Sequence, residues 1–223
     1  PNTRPHLYMK YQAQIRKAVL ALCLICTCCI ASAQSTSESF KVVIDPGHGG
    51  RDSVTRAGNI LEKNLVLDIS LAIKEQLQKN GIEVVLTRET DEFLSLSSRA
   101  AIPGDIFVSI HANAVADSIG PSVRSMIKGM EIYTSVSENL VKSTLLATAF
   151  KSHFSSLPGL SFRGIKRKKL AVLNRDSPSI LIELGFLSNE EDLAFLVNRS
   201  NHQQIAGAFI RAVKEYRKVI GLK

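Results

Sequence analysis

Hydrophobic and polar positions in this chain alternate between two patterns, one typical of buried strands and one typical of amphipathic helices. The first apolar run is Phe40–Ile44, which ends at the turn sequence Asp45-Pro46-Gly47. A helix is predicted over Asn59–Asn80, where apolar residues recur about once per helical turn, and Gly81 follows it at a C-cap position. From Phe40 the sequence therefore predicts a strand, a loop and a helix.

The same two patterns continue to the C-terminus. Strands are predicted at Phe40–Ile44, Glu83–Thr87, Asp105–Ile110, Met130–Thr134, Leu170–Leu173 and Ser179–Leu184. A second helix is predicted at Leu140–Phe154, and two capping boxes, Ser188 with Glu191 and Ser200 with Gln203, predict the starts of two more. Strands that alternate with helices favour an α/β fold: a single three-layer domain with a mostly parallel sheet of about six strands, flanked by helices on both faces.

The N-terminal segment has a different character. Basic residues without any acidic residue precede the apolar run Ala18–Ile30, and the small residues Ala31-Ser32-Ala33 follow it. This order predicts a signal peptide over residues 1–33, with residues 1–8 upstream of a start at Met9 and a polar linker at 34–39. A membrane anchor is the alternative, but residues 18–33 are fewer than the roughly 20 apolar residues that a spanning helix needs.

The cysteine content and the net charge of the chain are different once residues 1–33 are left out. All four cysteines lie within residues 23–29, where they act as small hydrophobic residues and are poor evidence for a metal site or for lipid attachment. Removal of residues 1–33 from the 223 leaves 190, without cysteine, and lowers the net charge from +8 to +4. A catalytic domain over residues 40–223 is thus expected, with no stable membrane anchor after cleavage and a charge too small to require nucleic acid. The one dense basic run, Lys166–Lys169, is either a solvated loop or a contact for an anionic substrate.

Three polar side chains fall at the ends of predicted strands. His48 follows the first strand within a glycine-rich turn, His111 ends the third, and Glu183 lies near the end of the last. Ligands of open α/β sheets gather outside the carboxyl ends of the strands, so these positions predict a site. A single histidine after a strand is also compatible with a structural role. Glu183 lies in an otherwise apolar strand, where a buried carboxylate requires a partner.

Glu62 has two interpretations. It could complete a capping box with Asn59 at the start of the predicted helix, or it could bind a metal. Two histidines and one carboxylate match a catalytic zinc site that keeps a fourth position for water. The spacings of 14 residues from His48 to Glu62 and 49 from Glu62 to His111 exclude a short helical motif, so zinc would be bound by residues from separate loops.

Four separated motifs give a more specific indication. They are Val43-Ile44-Asp45-Pro46-Gly47-His48-Gly49-Gly50, Leu61-Glu62-Lys63-Asn64, Phe107-Val108-Ser109-Ile110-His111-Ala112-Asn113 and Ile182-Glu183-Leu184-Gly185-Phe186-Leu187-Ser188-Asn189. In this order they resemble the motifs of the zinc-dependent N-acetylmuramoyl-L-alanine amidases, and the resemblance extends from about Lys41 to the C-terminus. Leu86-Thr87-Arg88 and Arg163-Gly164-Ile165-Lys166 also fit the family pattern.

The resemblance implies a hydrolase that cuts the amide bond between N-acetylmuramic acid and the L-alanine of the peptidoglycan stem peptide. It implies that His48, Glu62 and His111 bind one Zn²⁺ and that Glu183 is the catalytic carboxylate. The chain departs from the family pattern at residues 53–57 and 101–104 and in an apparent insertion at 115–128, which could act as a small lid over the site.

Two other functions are compatible with the same residues. A zinc peptidase that cuts within the stem peptide would use the same residues, and a wall-binding or regulatory relative would have lost catalysis. The expected partners are peptidoglycan or a muropeptide and an activator protein, with no nucleic acid. The expected location, from the signal peptide, is the periplasm or the extracellular space.

Overall fold

A six-stranded β-sheet forms the centre of the part of the chain that the computed structural model describes, residues 40–52, 55–116, 118–136 and 139–222. The predicted signal peptide at 1–33 and linker at 34–39 lie outside these residues. The strands of the sheet are β1 (Lys41–Pro46), β4 (Glu83–Leu86), β5 (Ile106–Asn113), β6 (Met130–Thr134), β7 (Phe162–Arg167) and β8 (Ser179–Phe186). A separate hairpin joins β2 (Arg56–Ala57) to β3 (Ile60–Leu61).

Helices connect most of the strands. They are α1 (Glu62–Lys79), α2 (Leu96–Ala100), α3 (Pro121–Met126), α4 (Leu140–Phe154), α5 (Glu190–Val197) and α6 (Arg199–Val219), with a 3-10 helix at Ala171–Leu173. The strand order is β4-β1-β5-β8-β6-β7, and every neighbouring pair is parallel except β6 with β8. The predicted α/β fold, with a mostly parallel sheet of about six strands, is confirmed.

One face of the sheet carries the main hydrophobic core. Alternate residues of the central strands, such as Val42, Ile44 and Ile182, are fully buried there against the long helices α1, α4 and α6. Burial of one such side chain stabilises the fold by about 1.5–3 kcal/mol. The rings of Phe150 and Phe209 meet edge to face with centroids 4.8 Å apart, which joins α4 to α6.

The other face has a smaller core and a thinner cover. Val43, Phe107 and Leu181 form a buried cluster with Val172 and Leu173 of the 3-10 helix, and α2 packs beside that helix. Toward the carboxyl ends of β1, β5 and β8, the side chains on this second face are polar. The candidate functional residues lie at this end of the sheet.

One predicted strand is wrong, and one observed strand of the six-stranded sheet was not predicted. Leu170–Leu173 is not a strand: residues 171–173 form the 3-10 helix, because a short apolar run looks the same whether it packs onto a sheet or pairs within it. The sequence does not predict strand β7, because this strand lies at the sheet edge and has polar, largely accessible residues. Lys166 and Arg167 of the basic run therefore lie in this strand and not in a solvated loop.

The predicted capping boxes are also wrong in their cap residues. The side chain of Asn189 accepts hydrogen bonds from the backbone N–H groups of Glu191 and Asp192, and that of Asn198 accepts one from Ser200. Each cap is thus an asparagine near the predicted serine. Both residue types accept these bonds well, so the sequence pattern could not separate them.

The apparent insertion at 115–128 contains the short helix α3. Asn189 donates a hydrogen bond to the backbone oxygen of Ser125 at 2.6 Å, and Lys128 pairs with Glu191 at 2.6 Å, so the segment is attached to the start of α5. Its role as a lid stays a prediction. Within the described ranges, none of the helices has the length and apolar character that crossing a lipid bilayer requires.

Candidate metal centre

His48 lies in a tightly held loop that follows β1. It is the one non-glycine among the described residues with a positive φ, +58°, and the glycines at 49 and 50 share that property. The loop backbone is fixed from outside: Arg88 Nη2 donates to the Gly47 oxygen at 2.7 Å, and Arg99 Nη2 donates to the His48 oxygen. Surrounding contacts thus hold His48 in a conformation that costs free energy in isolation.

Asp45 is the buried support of this loop. Its carboxylate is 1% exposed and accepts hydrogen bonds from Thr87 Oγ1 at 2.6 Å, Arg99 Nη1 at 2.8 Å and Ser109 Oγ at 2.7 Å. These bonds link the end of β1 to β5, to α2 and to the residue after β4. A buried carboxylate with this many partners fixes the position of the neighbouring loop.

Glu62 is the first residue of α1 and lies between the two histidines. Its Oε1 accepts a hydrogen bond from the backbone of Ala112 at 3.0 Å and lies 2.9 Å from His111 Nδ1, while its Oε2 lies 3.1 Å from His48 Nε2. The helix begins after Leu61 without a side-chain cap, so the capping interpretation of Glu62 with Asn59 is wrong. Its buried carboxylate points into the site.

His48, Glu62 and His111 therefore form one cluster. One ligand atom from each lies within 4.8 Å of the others, a distance over which a single metal ion can bind all three. The imidazole rings of His48 and His111 meet edge to face, with centroids 4.9 Å apart. The three residues come from a loop, from the first turn of α1 and from strand β5, and not from the separate loops that the sequence predicts.

The charges of this cluster are strongly coupled. Burial alone would lower the pKa of His48, but hydrogen bonds to Glu62 and Asp52 and their negative charges outweigh it and raise the pKa to about 9. Burial would likewise raise the pKa of Glu62, but the two histidines lower it to about 2. Without a metal ion, the Glu62 carboxylate is thus ionised at neutral pH and the His48 ring beside it is protonated.

Glu183 lies beside the cluster on β8, where it is the register partner of His111 on β5. Its Oε2 is buried and has no hydrogen-bond partner among the described residues. Burial, with smaller contributions from the carboxylates of Glu62 and Glu131, raises the pKa of Glu183 to about 7 despite the nearby histidines. This carboxyl can therefore both accept and release a proton near neutral pH.

A small cleft of about 170 Å³ opens next to the histidines. Its lining includes His48, His111 and the apolar side chains of Phe93, Leu94 and Leu96. A wider depression of about 670 Å³, lined by residues 97–104 and 171–177, contains none of the four candidate residues. Of these two cavities, the small cleft is the one that adjoins His48 and His111.

Glu131 on β6 is a further buried acidic residue, and it is not among the site residues that the sequence predicts. It is 3% exposed at its side chain and pairs with Arg163 and Lys166 of β7. Glu131, like Glu183, is an acidic residue within a predicted apolar strand, but its partners lie on β7, which the sequence does not predict.

Comparison with known proteins agrees with the fold and identifies the family of the chain. Residues 42–215 match the family model described as N-acetylmuramoyl-L-alanine amidase. A probable cell wall amidase, LytH of Staphylococcus epidermidis, is 34% identical over 179 residues, which are 78% of this chain and 57% of that protein. The chain thus spans little more than half the length of this curated relative.

Two solved structures show the same architecture. An N-acetylmuramoyl-L-alanine amidase from Clostridium difficile 630 has a TM-score of 0.74 and 31% identity, covering 83% of this chain and all of that one. The CwlD amidase of Clostridioides difficile, solved in complex with the GerS lipoprotein, has a TM-score of 0.72 and 26% identity, covering 81% of this chain and 99% of that one.

The fold and the His/Glu cluster define an α/β domain with a metal-type site at the carboxyl ends of its strands. With the family match over most of its length, this chain belongs to the N-acetylmuramoyl-L-alanine amidase family.

Proposed function

We propose that this protein is a zinc-dependent amidase that hydrolyses the amide bond between N-acetylmuramic acid and L-alanine in peptidoglycan. The supporting observation is the joint placement of the His48, Glu62 and His111 cluster and the unpartnered carboxyl oxygen of Glu183. The cluster provides a site for a metal ion, and Glu183 provides a proton acceptor next to it. Family membership gives the reaction class.

The residues present fit a catalytic zinc ion. Two imidazole nitrogens and one carboxylate oxygen form the donor set of a three-ligand catalytic site, and their ligand atoms are close enough for one ion. When bound, zinc supplies Lewis acidity, which activates a water molecule and polarises the scissile carbonyl group. His48 and His111 would hold the ion through ring nitrogens, and Glu62 through its carboxylate.

Glu183 then moves the proton. Its ionised carboxylate accepts a proton from the attacking water, and the resulting carboxyl group donates that proton to the nitrogen of L-alanine as the amide bond breaks. The Oε2 atom has no competing partner among the described residues, so it is available for this transfer. Asp45 and the two arginines that hold the loop keep His48 in place during the reaction.

The bond that is cut distinguishes this proposal from a zinc peptidase. Purified residues 34–223 are incubated with muropeptides and zinc, and the products are identified by mass spectrometry. The proposal predicts an intact peptide that begins with L-alanine and a sugar without peptide. Cleavage between two amino acids of the stem peptide would instead establish a peptidase.

The N-terminal segment adds export to the proposed function. The basic start and short apolar run of residues 1–33 support export by signal peptide to the periplasm or the extracellular space, with cleavage after Ala33. N-terminal sequencing of the protein recovered from outside the cytoplasm should begin at Gln34. An uncleaved chain that stays inside the cell would contradict export.

An activator protein is the proposed further partner. The support is a structural relative, CwlD, which was solved in complex with the GerS lipoprotein. The purified domain alone should hydrolyse sacculi more slowly than it does with an envelope extract added. Equal rates with and without the extract would contradict a need for activation.

A further inference from the structure

Three neighbouring strands place ionisable side chains in one row beside the metal-type cluster. His111 on β5 is the register partner of Glu183 on β8, and Glu183 is the register partner of Glu131 on β6. Register partners point to the same face of a sheet, so these three side chains share the face that carries the site. Glu131 thus lies next to Glu183, on the side away from His111.

Arg163 and Lys166 of the edge strand β7 both donate hydrogen bonds to Glu131. Arg163 Nε donates to its Oε1 at 2.6 Å and Lys166 Nζ at 2.7 Å, and the Tyr133 hydroxyl donates to Oε2 at 2.6 Å. The Glu131 side chain is 3% exposed, whereas those of Arg163 and Lys166 are 36% and 45% exposed. A buried carboxylate therefore holds two half-exposed cations at the border of the site.

The charges of this group do not cancel. One carboxylate neutralises one of the two cations, and a third cation is close, because Lys168 Nζ lies 5.7 Å from the centre of the Tyr133 ring. The guanidinium of Arg163 also lies 5.3 Å from the centre of the Phe186 ring, which restricts its motion. Glu131, Arg163 and Lys166 together carry one net positive charge, which the neighbouring carboxyl of Glu183 offsets only when it is ionised, and their donors are already oriented.

The backbone between the two cations leaves room for a ligand. Gly164 is the register partner of Glu131, has a φ of +142°, and would place a Cβ with nothing within 4 Å. Because there is no side chain at this position, another molecule can approach the strand closely between Arg163 and Lys166.

We propose that Arg163 and Lys166 bind a free carboxylate of the stem peptide, so that the peptide lies over β6 and β7 and the scissile amide lies at Glu183. This inference rests on the proposed function, since it assigns a substrate group to the same site. In a stem peptide the residue after L-alanine is a glutamate joined through its γ-carboxyl group, which leaves its α-carboxylate free or converts it to a carboxamide. The α-carboxylate is the group that matches two fixed cations.

Binding of two matched peptides tests this assignment without any cleavage. The peptides are L-alanyl-γ-D-glutamyl-L-lysine amide with the glutamate α-carboxylate free, and the same peptide with that group as a carboxamide. Calorimetry with the zinc-loaded chain should show roughly tenfold tighter binding of the carboxylate peptide, in line with a hydrogen bond to a charged group. Equal affinities for the two peptides would overturn the assignment.

Variants of Arg163 and Lys166 test whether these two residues cause the preference for the carboxylate peptide. Arg163→Gln and Lys166→Met should each weaken binding of the carboxylate peptide by about tenfold and leave the carboxamide peptide nearly unchanged. Arg167→Gln is the matched control, because it removes one positive charge from the next residue of β7, which is exposed and points to the other face. If Arg167→Gln had the same effect as Lys166→Met, general attraction to the basic run would replace a specific site.

Hydrolysis assays separate this inference from the proposed function. The same peptides attached to N-acetylmuramic acid should be cut with a preference for the carboxylate form. A chain that binds the carboxylate peptide selectively but releases no L-alanine-led peptide would contradict the amidase reaction and leave the binding site supported. A chain that cuts both forms equally and binds both equally would support the reaction and overturn the site.

Discussion

Gly47 lies directly against the imidazole ring of His111. A Cβ atom at position 47 would fall 2.3 Å from Cε1 of that ring and 2.5 Å from Nε2, far closer than side-chain atoms approach one another. The glycine after Asp45-Pro46 is therefore required for space. The loop that carries one histidine of the cluster passes close to the other because residue 47 has no side chain.

Gly47→Ala should consequently lower the affinity for zinc. The added methyl group must displace the His111 ring or the loop, and changes that disturb the orientation of a metal ligand typically cost 10–100-fold in metal affinity. Competition with a chromophoric chelator measures the change. Gly120→Ala is the control, since a Cβ there would have open space, and it should bind zinc as wild type does. Equal affinity in both variants would contradict this packing argument.

Metal content should follow the three cluster residues. We expect about one zinc per chain in the wild type and nearly none in His48→Ala or His111→Ala, measured by elemental analysis after gel filtration. His153→Ala is the control, because His153 on α4 pairs with Glu215 at 2.6 Å, away from the cluster. Stoichiometric zinc in His111→Ala would show that the metal binds elsewhere.

Zinc affinity should rise with pH over an unusual range. The pKa of His48 is raised to about 9 in the absence of metal, so below that pH a proton occupies the ring that zinc requires. The apparent affinity should therefore increase from pH 6 to about pH 9, and binding at pH 7.5 should release protons. Calorimetry in buffers of different ionisation enthalpy detects them. An affinity that levels off just above pH 6.5 would indicate an ordinary histidine pKa.

Asp45 should be a major contributor to stability. Asp45→Asn removes the charge that Arg99 meets in the buried network, and breaking a buried ion pair in this way costs about 3–5 kcal/mol. Urea unfolding of the metal-free chain measures the loss. The exposed pair of Asp68 with Arg199 at 3.6 Å gives the control, and Asp68→Asn should change the free energy of unfolding by less than about 1 kcal/mol. Similar losses in the two variants would contradict the role assigned to burial.

The sequence predicted those features that depend on strong local patterns. Buried central strands such as β1 have nearly continuous apolar residues, and α1 repeats its apolar positions once per turn, so both were found close to their observed bounds. Strand β7 was missed because an edge strand has few buried positions, and its sequence Phe-Arg-Gly-Ile-Lys-Arg resembles a loop. The apolar run at residues 170–173 looks like a strand in the sequence, because its packing onto the sheet depends on tertiary structure that a local pattern does not encode.

The candidate site was likewise predictable from the sequence only in part. His48, His111 and Glu183 could be proposed from their positions after or within strands, since the carboxyl ends of parallel strands converge. The function of Glu62 could not be decided from residues alone, because its position also suits a helix cap. Glu131 and its two cations needed the register of β6, β7 and β8, which no local pattern encodes.

The proton-transfer role proposed for Glu183 can be tested separately from metal binding. Glu183→Gln keeps the size of the side chain and leaves the three cluster residues in place, so the variant should bind zinc as wild type does. Its rate of hydrolysis should fall by roughly 10²–10⁴-fold, the usual contribution of a general acid–base residue.

The most direct test of the amidase assignment is mass spectrometry of the soluble products that residues 34–223 release from purified sacculi at equal zinc content. The wild type should release stem peptides that begin with L-alanine, and Glu183→Gln should release almost none. Equal release by both proteins, or products cut within the stem peptide, would contradict the account.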